Sequence, residues 1–396
     1  MAPIIRVALI GLSVKPSWAS RAHLPYLLSD EGRKKFTIVA LLNSSVEAAR
    51  ASIAAHSLPA DSTKAYGDPA ALAADPDVDL VVCNTRVDIH YKTIRPSVAA
   101  GKAVYSEWPL AHNTEAAREL VELARQTSAK FAIGLQARLH PVAHTLRRLL
   151  DDGAIGKVLS SEVRAFGGTN DRDRIPTGMT YFLDRAVGGN LVTISFAHIF
   201  DTVQSVLGEV SPATARGDFH LQRPNVTVFD PATGATVGTH PSQVPDLFYV
   251  SGKFAPGPLI AAQGAPLHFR LRRGQPFPGD PGLVWTIAGE TGEIRLTAPG
   301  AGALQIGTDE DPPVIELNRF AAGSAAEKVA WEWPKALSAL DAVASRGVGA
   351  VYEDIAFAAG AAAGGDGRDH LYPHATFDDA LRRHEQLDAL LGDWKA

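Results

Sequence analysis

"RVALIGL", Arg6–Leu12, decides how the rest of this chain is read. Val7 to Ile10 form an unbroken apolar run that ends in Gly11, after which the chain turns polar. A run without polar alternation is what a strand buried on both faces looks like. A glycine at its end is where a dinucleotide-binding fold places the first residue of its phosphate loop, although a glycine after a strand also serves as a plain turn. The same kind of run recurs as "FTIVALLN", "VDLVVCN", "KAVYSEW" and "KFAIGLQ". Between the last two, "TEAARELVELARQT" carries Ala117, Leu120, Val121 and Ala124 at helical spacing, with Thr114 available as an N-cap. The alternation predicts an α/β fold whose N-terminal domain, residues 1–135, is a Rossmann-type doubly wound parallel sheet.

Beyond residue 135 the pattern changes. "HPVAHTLRRLLDDGAIG" reads as a helix stopped by Gly153, "VLSSEVRAFGG" as a strand and "GGNLVTISFAHIFDTVQSVLG" as a long buried helix. Strands with polar/apolar alternation follow, among them "HFRLRR" and "LVWTIAGETGEIRLTA", the latter a hairpin turning at "GETGE". "AAGAAAGGDGRD" reads as a flexible loop and "ATFDDALRRHEQLDALLGDW" as a closing helix. The expectation is a C-terminal α+β domain, residues 136–396, with a large, open, mostly antiparallel sheet.

Composition narrows the function. The 396 residues are 46% hydrophobic and 20% charged, as in a soluble globular protein. A net charge of −5 gives no electrostatic reason to expect nucleic acid as a partner. Cys83 is the only cysteine, which rules out internal disulfides and Cys-rich zinc sites, suggests a reducing compartment and leaves no metal site expected. The N-terminal apolar run has no basic region before it, so it reads as a strand rather than a signal peptide. No stretch approaches the roughly 20 apolar residues that span a bilayer. A cytoplasmic protein with no membrane partner is expected.

The candidate site residues stand at successive strand ends, where ligands bind in open α/β sheets. Gly11, Ser13 and the loop amides are placed to hold a pyrophosphate at the start of a helix containing Ala22 to Leu28. The full glycine-rich fingerprint is absent. After the second strand an acid would mark a preference for NAD; "ALLNSS" offers Asn43 instead, which repels neither a hydroxyl nor a phosphate and favours NADP slightly, or simply caps a helix. "CNTRVDIHY" places Asn84 and His90 at the next strand end, with a purely structural His90 as the alternative. "VYSEWPLA" then puts Glu107 and Trp108 before Pro109, either as part of an active site or as a loop anchor.

These pieces, in this order, resemble the glucose–fructose oxidoreductase/inositol dehydrogenase (Gfo/Idh/MocA) family. "GLSVKPSWA", "EWPLA", "LQARLHP" and "GGNLVTISFAHIFDTVQ" are similar to its fungal branch containing the galactose/lactose-regulon repressor. The resemblance implies a bound nicotinamide nucleotide, a homodimer through the open sheet face, and two catalytic hallmarks. In family enzymes the "SEWP" turn usually reads Glu-Lys-Pro, and the lysine exchanges a proton with substrate; here Trp108 stands in its place, unable to relay a proton but flat enough to stack on a nicotinamide or sugar ring. Glu107 would hold the nicotinamide ribose. The second hallmark is an aspartate four residues before a histidine; here Ile194 precedes His198. Only His198 then has a suitable pKa for acid–base work, unless it is a core histidine bonded to a neighbour such as Asp201. Tyr181 would support it, and Arg138 and Asp184 would bind polar substrate groups.

Two readings follow. One is an NAD(P)-dependent oxidoreductase acting on a sugar, polyol or other hydroxy/carbonyl compound. The other is a non-catalytic, nucleotide-binding transcriptional regulator with a protein partner. The loss of both family groups favours the regulator; the breadth of a family made mostly of enzymes favours the oxidoreductase, which is the main reading.

Overall fold

The computed structural model describes residues 3–167, 171–300, 303–360 and 373–395. Most of the loop expected in "AAGAAAGGDGRD" lies outside the described residues. Two compact units are present, Met1–Leu139 with Trp333–His384, and His140–Glu332 with Glu385–Ala396.

In the first unit, β1 (Ile5–Ile10), β2 (Phe36–Leu42), β3 (Lys64–Tyr66), β4 (Leu80–Cys83), β5 (Ala103–Glu107) and β6 (Phe131–Gly134) form one parallel sheet, ordered β3-β2-β1-β4-β5-β6. The apolar runs are its buried strands; Val7, Ala8, Leu9, Val81 and Val82 have no exposed surface. Chain order reverses between β1 and β4, which opens a crevice at their carboxyl ends. Gly11 stands there with φ +88°, and a Cβ on it would lie 2.8 Å from Thr85 Cγ2 and 3.2 Å from the Asn84 carbonyl oxygen. Only glycine fits both the dihedral and the space.

The sequence expectation ran the second domain from 136 to 396. Instead the helix Val343–Ala358 belongs to the first unit. Its Tyr352 stacks on Tyr26 with ring centroids 5.4 Å apart and planes 5° from parallel. It also meets the edges of Phe36 and Tyr105 at 5.2 and 5.4 Å. These rings are fully or almost fully buried, so the sheet's core is complete only once a helix from far along the chain has covered it.

The second unit holds β7 (Val158–Gly167), β8 (Arg174–Pro176), β9 (Arg216–His220), β10 (Asn225–Phe229), β11 (Thr236–Pro241), β12 (Leu247–Lys253), β13 (Pro266–Arg273), β14 (Leu283–Gly289), β15 (Gly292–Ala298), β16 (Val314–Arg319) and β17 (Glu327–Val329). Eight of them form a sheet ordered β17-β16-β15-β14-β7-β13-β12-β9, antiparallel except where β7 meets β13. The β14–β15 hairpin turns at Glu290–Thr291, as "GETGE" predicts. The long helix opens with wide π-type turns over Leu191–Phe196 and continues as α-helix over Ala197–Leu207. Its Phe196 meets the edges of Phe248 and Phe269, at 5.2 and 4.9 Å, on one face of this sheet.

A polar thread runs through the aromatic cluster of the first unit. The Tyr352 hydroxyl lies 2.9 Å from His23 Nδ1, and Tyr26 donates to Glu353 Oε1 at 2.8 Å. Tyr352→Phe keeps the ring stacking but leaves a buried imidazole nitrogen unsatisfied, so it should cost about 1–3 kcal/mol in urea unfolding. A change within about 0.5 kcal/mol, typical of surface substitutions, would show that the bond contributes nothing to stability.

Candidate functional site

At the β1–β4 crevice the Asn84 backbone N–H donates to Ile10 O at 3.0 Å, continuing the ladder past the strand ends. Its side chain does otherwise: both amide atoms, Nδ2 and Oδ1, are buried with no hydrogen-bond partner. An unpartnered buried amide destabilises a fold by about 1–3 kcal/mol, so its presence beside a glycine that clears space points to a polar ligand. The crevice thus offers a polar ligand both a donor and an acceptor from Asn84.

His90 has a different task from the one expected. It is buried, with Nδ1 2.9 Å from Pro109 O and Nε2 2.8 Å from Thr85 O. Burial pushes its pKa below the ordinary value despite these carbonyls. With both ring nitrogens facing backbone, His90 ties the turn after β4 to the turn after β5 and has no edge left for a ligand.

Glu107 is likewise committed inward. Its Oε1 accepts from His23 Nε2 at 2.8 Å, Gln136 Nε2 at 3.1 Å and the Tyr105 hydroxyl at 3.3 Å, and Oε2 lies 3.0 Å from Gln136 Nε2. A Cβ at position 134 would fall 2.5 Å from Oε2, so Gly134 makes room for the carboxylate. Since a carboxylate is acceptor-only, His23 must carry its proton on Nε2. The expected ribose contact would have to compete with these donors. His23 and Gln136 were not singled out in the sequence, where nothing local distinguishes "RAHLPYL" or "GLQARL" from ordinary helix and turn.

Trp108 was expected to stack on a ligand. It is only 5% exposed, and its ring lies against His384, centroids 4.9 Å apart. The peptide it makes with Pro109 is cis. His384 is buried, and burial, with a smaller contribution from nearby His112, pushes its pKa down to about 3. Among the alternatives open in the sequence, this geometry supports the loop anchor.

Around the start of the nucleotide loop, Asn43 Nδ2 faces Leu12 O at 2.9 Å, Ser52 Oγ at 3.1 Å and Ala48 O at 3.3 Å. The cap of the helix Val46–Ala55 is Ser45, which accepts from Ala48 N, so Asn43 braces the Gly11–Ser13 loop instead of capping. Ser13 Oγ accepts from Lys15 N at 3.1 Å, and Ser13 O accepts from His56 Nε2 at 2.8 Å. The following helix starts as a π-type turn, Ala19–His23, before Leu24–Leu28, so the plain α-helical N-terminus expected for a pyrophosphate is not formed.

The remaining candidates are placed as follows. Arg138 pairs with Asp379 at 3.4 Å in the first unit, which occupies the charge meant for substrate. Asp184 Oδ1 accepts from Ala186 N at 2.9 Å and caps the short turn Arg185–Val187, a structural role rather than a substrate contact. Tyr181 lies in the turn Thr177–Leu183, 6.2 Å from the Phe182 ring. His198, the second residue of the helix Ala197–Leu207, is buried, and its carbonyl accepts from Thr202 Oγ1 at 2.8 Å. Upstream, Asn190 and Thr193 close a capping box that starts the helical run. The structure thus gathers Gly11, Asn84 and His90 in the first unit, while Tyr181, Asp184 and His198 belong to the second. Among the described residues, no cluster of three or more His, Cys, Asp or Glu is placed to hold a metal, and no helix is long and apolar enough to cross a membrane.

Comparison with known proteins agrees with this architecture. Residues 5–135 match the model of the Gfo/Idh/MocA oxidoreductase family, NAD-binding Rossmann fold, and residues 141–298 match the model of the Gal80p C-terminal domain. A dehydrogenase of Aspergillus oryzae, aclE, is 30% identical over 84% of this chain and 85% of its own. The chain belongs to the Gfo/Idh/MocA oxidoreductase family. The chain is also similar to the galactose/lactose regulatory protein GAL80 of Saccharomyces cerevisiae, 25% identical over 74% of this chain and 66% of that one. In fold it is similar to a super-repressor mutant of Gal80p from Saccharomyces cerevisiae, with TM-score 0.83 and 22% identity, covering 100% of this chain and 97% of that one. It is also similar in fold to a levoglucosan dehydrogenase solved with NADH and levoglucosan, with TM-score 0.72 and 16% identity, covering 98% and 96% of the two chains.

Two measurements test this geometry. Asn84→Leu removes the unpartnered amide, so the nucleotide-free protein should melt at the same temperature or higher while nicotinamide-nucleotide affinity drops about tenfold or more, about 1.4 kcal/mol; lower stability with unchanged affinity would make Asn84 structural. His384 supplies a pH dependence. Its folded pKa of about 3 lies below the ordinary 6.5, so between these values the unfolded chain binds a proton that the folded chain refuses, and stability falls as pH drops through that window. His384→Gln should flatten the slope of unfolding free energy between about pH 6.5 and pH 3; an unchanged slope would place the titration elsewhere.

Proposed function

We propose that this chain binds a nicotinamide nucleotide at the β1–β4 crevice and acts as an oxidoreductase on a sugar, polyol or related hydroxy/carbonyl compound. The observation that carries the reading is the Asn84 amide, buried without a partner beside Gly11 at the point where the strand order reverses. The Aspergillus dehydrogenase, similar along most of both chains, supports the catalytic half. A bound nicotinamide nucleotide supplies hydride transfer. Gly11, Ser13 and Asn84 would hold it, with no acid after β2 to repel a 2′-phosphate; NADP is therefore bound at least as well as NAD. His198 would carry the substrate proton, with Tyr181 in support, since Trp108 has no titratable group.

A second reading, a nucleotide-binding regulator with a protein partner, is favoured by a specific pair of positions. Trp108 is packed into the first unit where family enzymes have a lysine, and Ile194 stands where they have an aspartate. The Gal80p match over residues 141–298 supports it as well. A homodimer and a reducing compartment, which suits the single buried thiol of Cys83, accompany either reading.

The test is a titration followed by an assay. Calorimetry should show NADP binding as tightly as NAD or more so. NADP or NADPH with a panel of sugars, polyols and ketones should then change absorbance at the reduced cofactor's band, and His198→Ala should lower turnover by about a hundredfold or more with nucleotide affinity unchanged. Tight nucleotide binding without turnover on any substrate would leave the regulator; no binding of either nucleotide would remove both readings.

A further inference from the structure

The second unit gathers several arginines near one end of its large sheet. Arg270 and Arg272 project from the same face of β13, their guanidinium carbons 5.6 and 5.0 Å from the Phe166 ring of β7. Phe166 points out of the sheet yet is only 5% exposed, with two cations over its ring. Arg172 comes from the segment after β7, and its Nη2 donates to Gln275 O at 3.0 Å. Arg272 Nη2 donates to the same oxygen at 2.8 Å, so two guanidinium groups converge on one carbonyl. The approach is built into the backbone: Gly274 has φ +87°, and a Cβ there would lie 2.7 Å from Arg172 Cα.

Two features set the cluster apart from an ordinary solvated face. The Nε atoms of Arg172 and Arg272 are both buried with no hydrogen-bond partner. No ion pair joins Arg172, Arg223, Arg270 or Arg272 to a carboxylate among the described residues, whereas nearby Arg164 pairs with Asp280 at 3.4 Å. The acids in the vicinity serve other groups. Asp246 accepts from the backbone of Gln222 and Arg223, and Asp171 accepts from the Gln275 amide. Burial and then the charges of Arg172, Arg270 and Arg223 hold the pKa of Arg272 below the ordinary arginine value. In a chain of net charge −5, Arg272 thus stands among other cations with no carboxylate paired to it among the described residues.

We propose that Arg172, Arg223, Arg270 and Arg272 form a binding site for a phosphate group in the second unit. A phosphate dianion presents three anionic acceptor oxygens, matches the planar fork of guanidinium groups and can engage several of them at once, including the two unpartnered Nε–H donors. The source is inorganic phosphate or the phosphate end of a small phosphorylated metabolite.

The experiment is calorimetric titration of the intact protein at low salt with inorganic phosphate and, separately, with glycerol phosphate and glycerol. Saturable one-to-one binding of phosphate is expected, at least tenfold weaker in Arg272→Gln and in Arg172→Gln, with nicotinamide-nucleotide affinity unchanged in both. Arg223→Gln, at the cluster's margin, gives the same comparison should the central variants fail to fold. Glycerol phosphate binding tenfold more tightly than inorganic phosphate would support an organic phosphate, and equal affinities would support free phosphate; glycerol alone should not bind. Absence of saturable binding by the wild type, or equal affinity in every variant, would overturn the site. So would sedimentation showing that Arg272→Gln splits a dimer while phosphate affinity stays unchanged, since the arginines would then serve a contact between copies.

Discussion

One carboxylate organises the working edge of the parallel sheet. Glu107 ends β5 and draws donors from Tyr105 on its own strand, from Gln136 after β6 and from His23 in the helix after β1. Through His23 it reaches Tyr352, on a helix that follows the entire second sheet in the chain. Buried polar groups of this kind specify an arrangement because each member left unpaired has a large desolvation cost. The thread therefore pins the helix Val343–Ala358 at one position, and the stacking of Tyr352 on Tyr26 follows from it.

That constraint changes what the "SEWP" turn does. With the Glu107 carboxylate turned toward the helix after β1 and Trp108 packed on His384, the turn is held from inside, and His90 grips the Pro109 carbonyl from the other side. A lysine at position 108 would bring a long cationic chain into a pocket that suppresses charge strongly enough to lower the His384 pKa to about 3. The departure from the usual family motif is thus coupled to the closing helix through the Trp108–His384 contact. By contrast the β1–β4 crevice keeps its polar, unpartnered character in Asn84.

The second unit divides its sheet chemically. One face receives Phe196 and the helix behind it. The other carries Arg164, Tyr249, His268 and Arg270 around an open depression of about 650 Å³. Strand alternation produces both faces from the same residues, and the arginine cluster forms where the ends of β7 and β13 run parallel and bring Phe166 opposite Arg272.

The strands of the parallel sheet, the glycine that ends the first of them, the "GETGE" hairpin and the long helix containing His198 were all legible in the sequence, because each depends on the periodicity or dihedral needs of a few neighbouring residues. Local pattern says that a segment buries a face; it does not say against what. So the sequence alone did not reveal that residues 333–384 complete the first unit, that Arg138 would be taken by Asp379, or that Trp108 would meet His384. It showed Asn43, His90, Glu107 and Asp184 as polar groups near strand or helix ends, where ligand and backbone are equally good partners. Which partner each one has was decided by the tertiary structure, because hydrogen bonds and buried charges are satisfied by whatever the completed fold brings within about 3 Å.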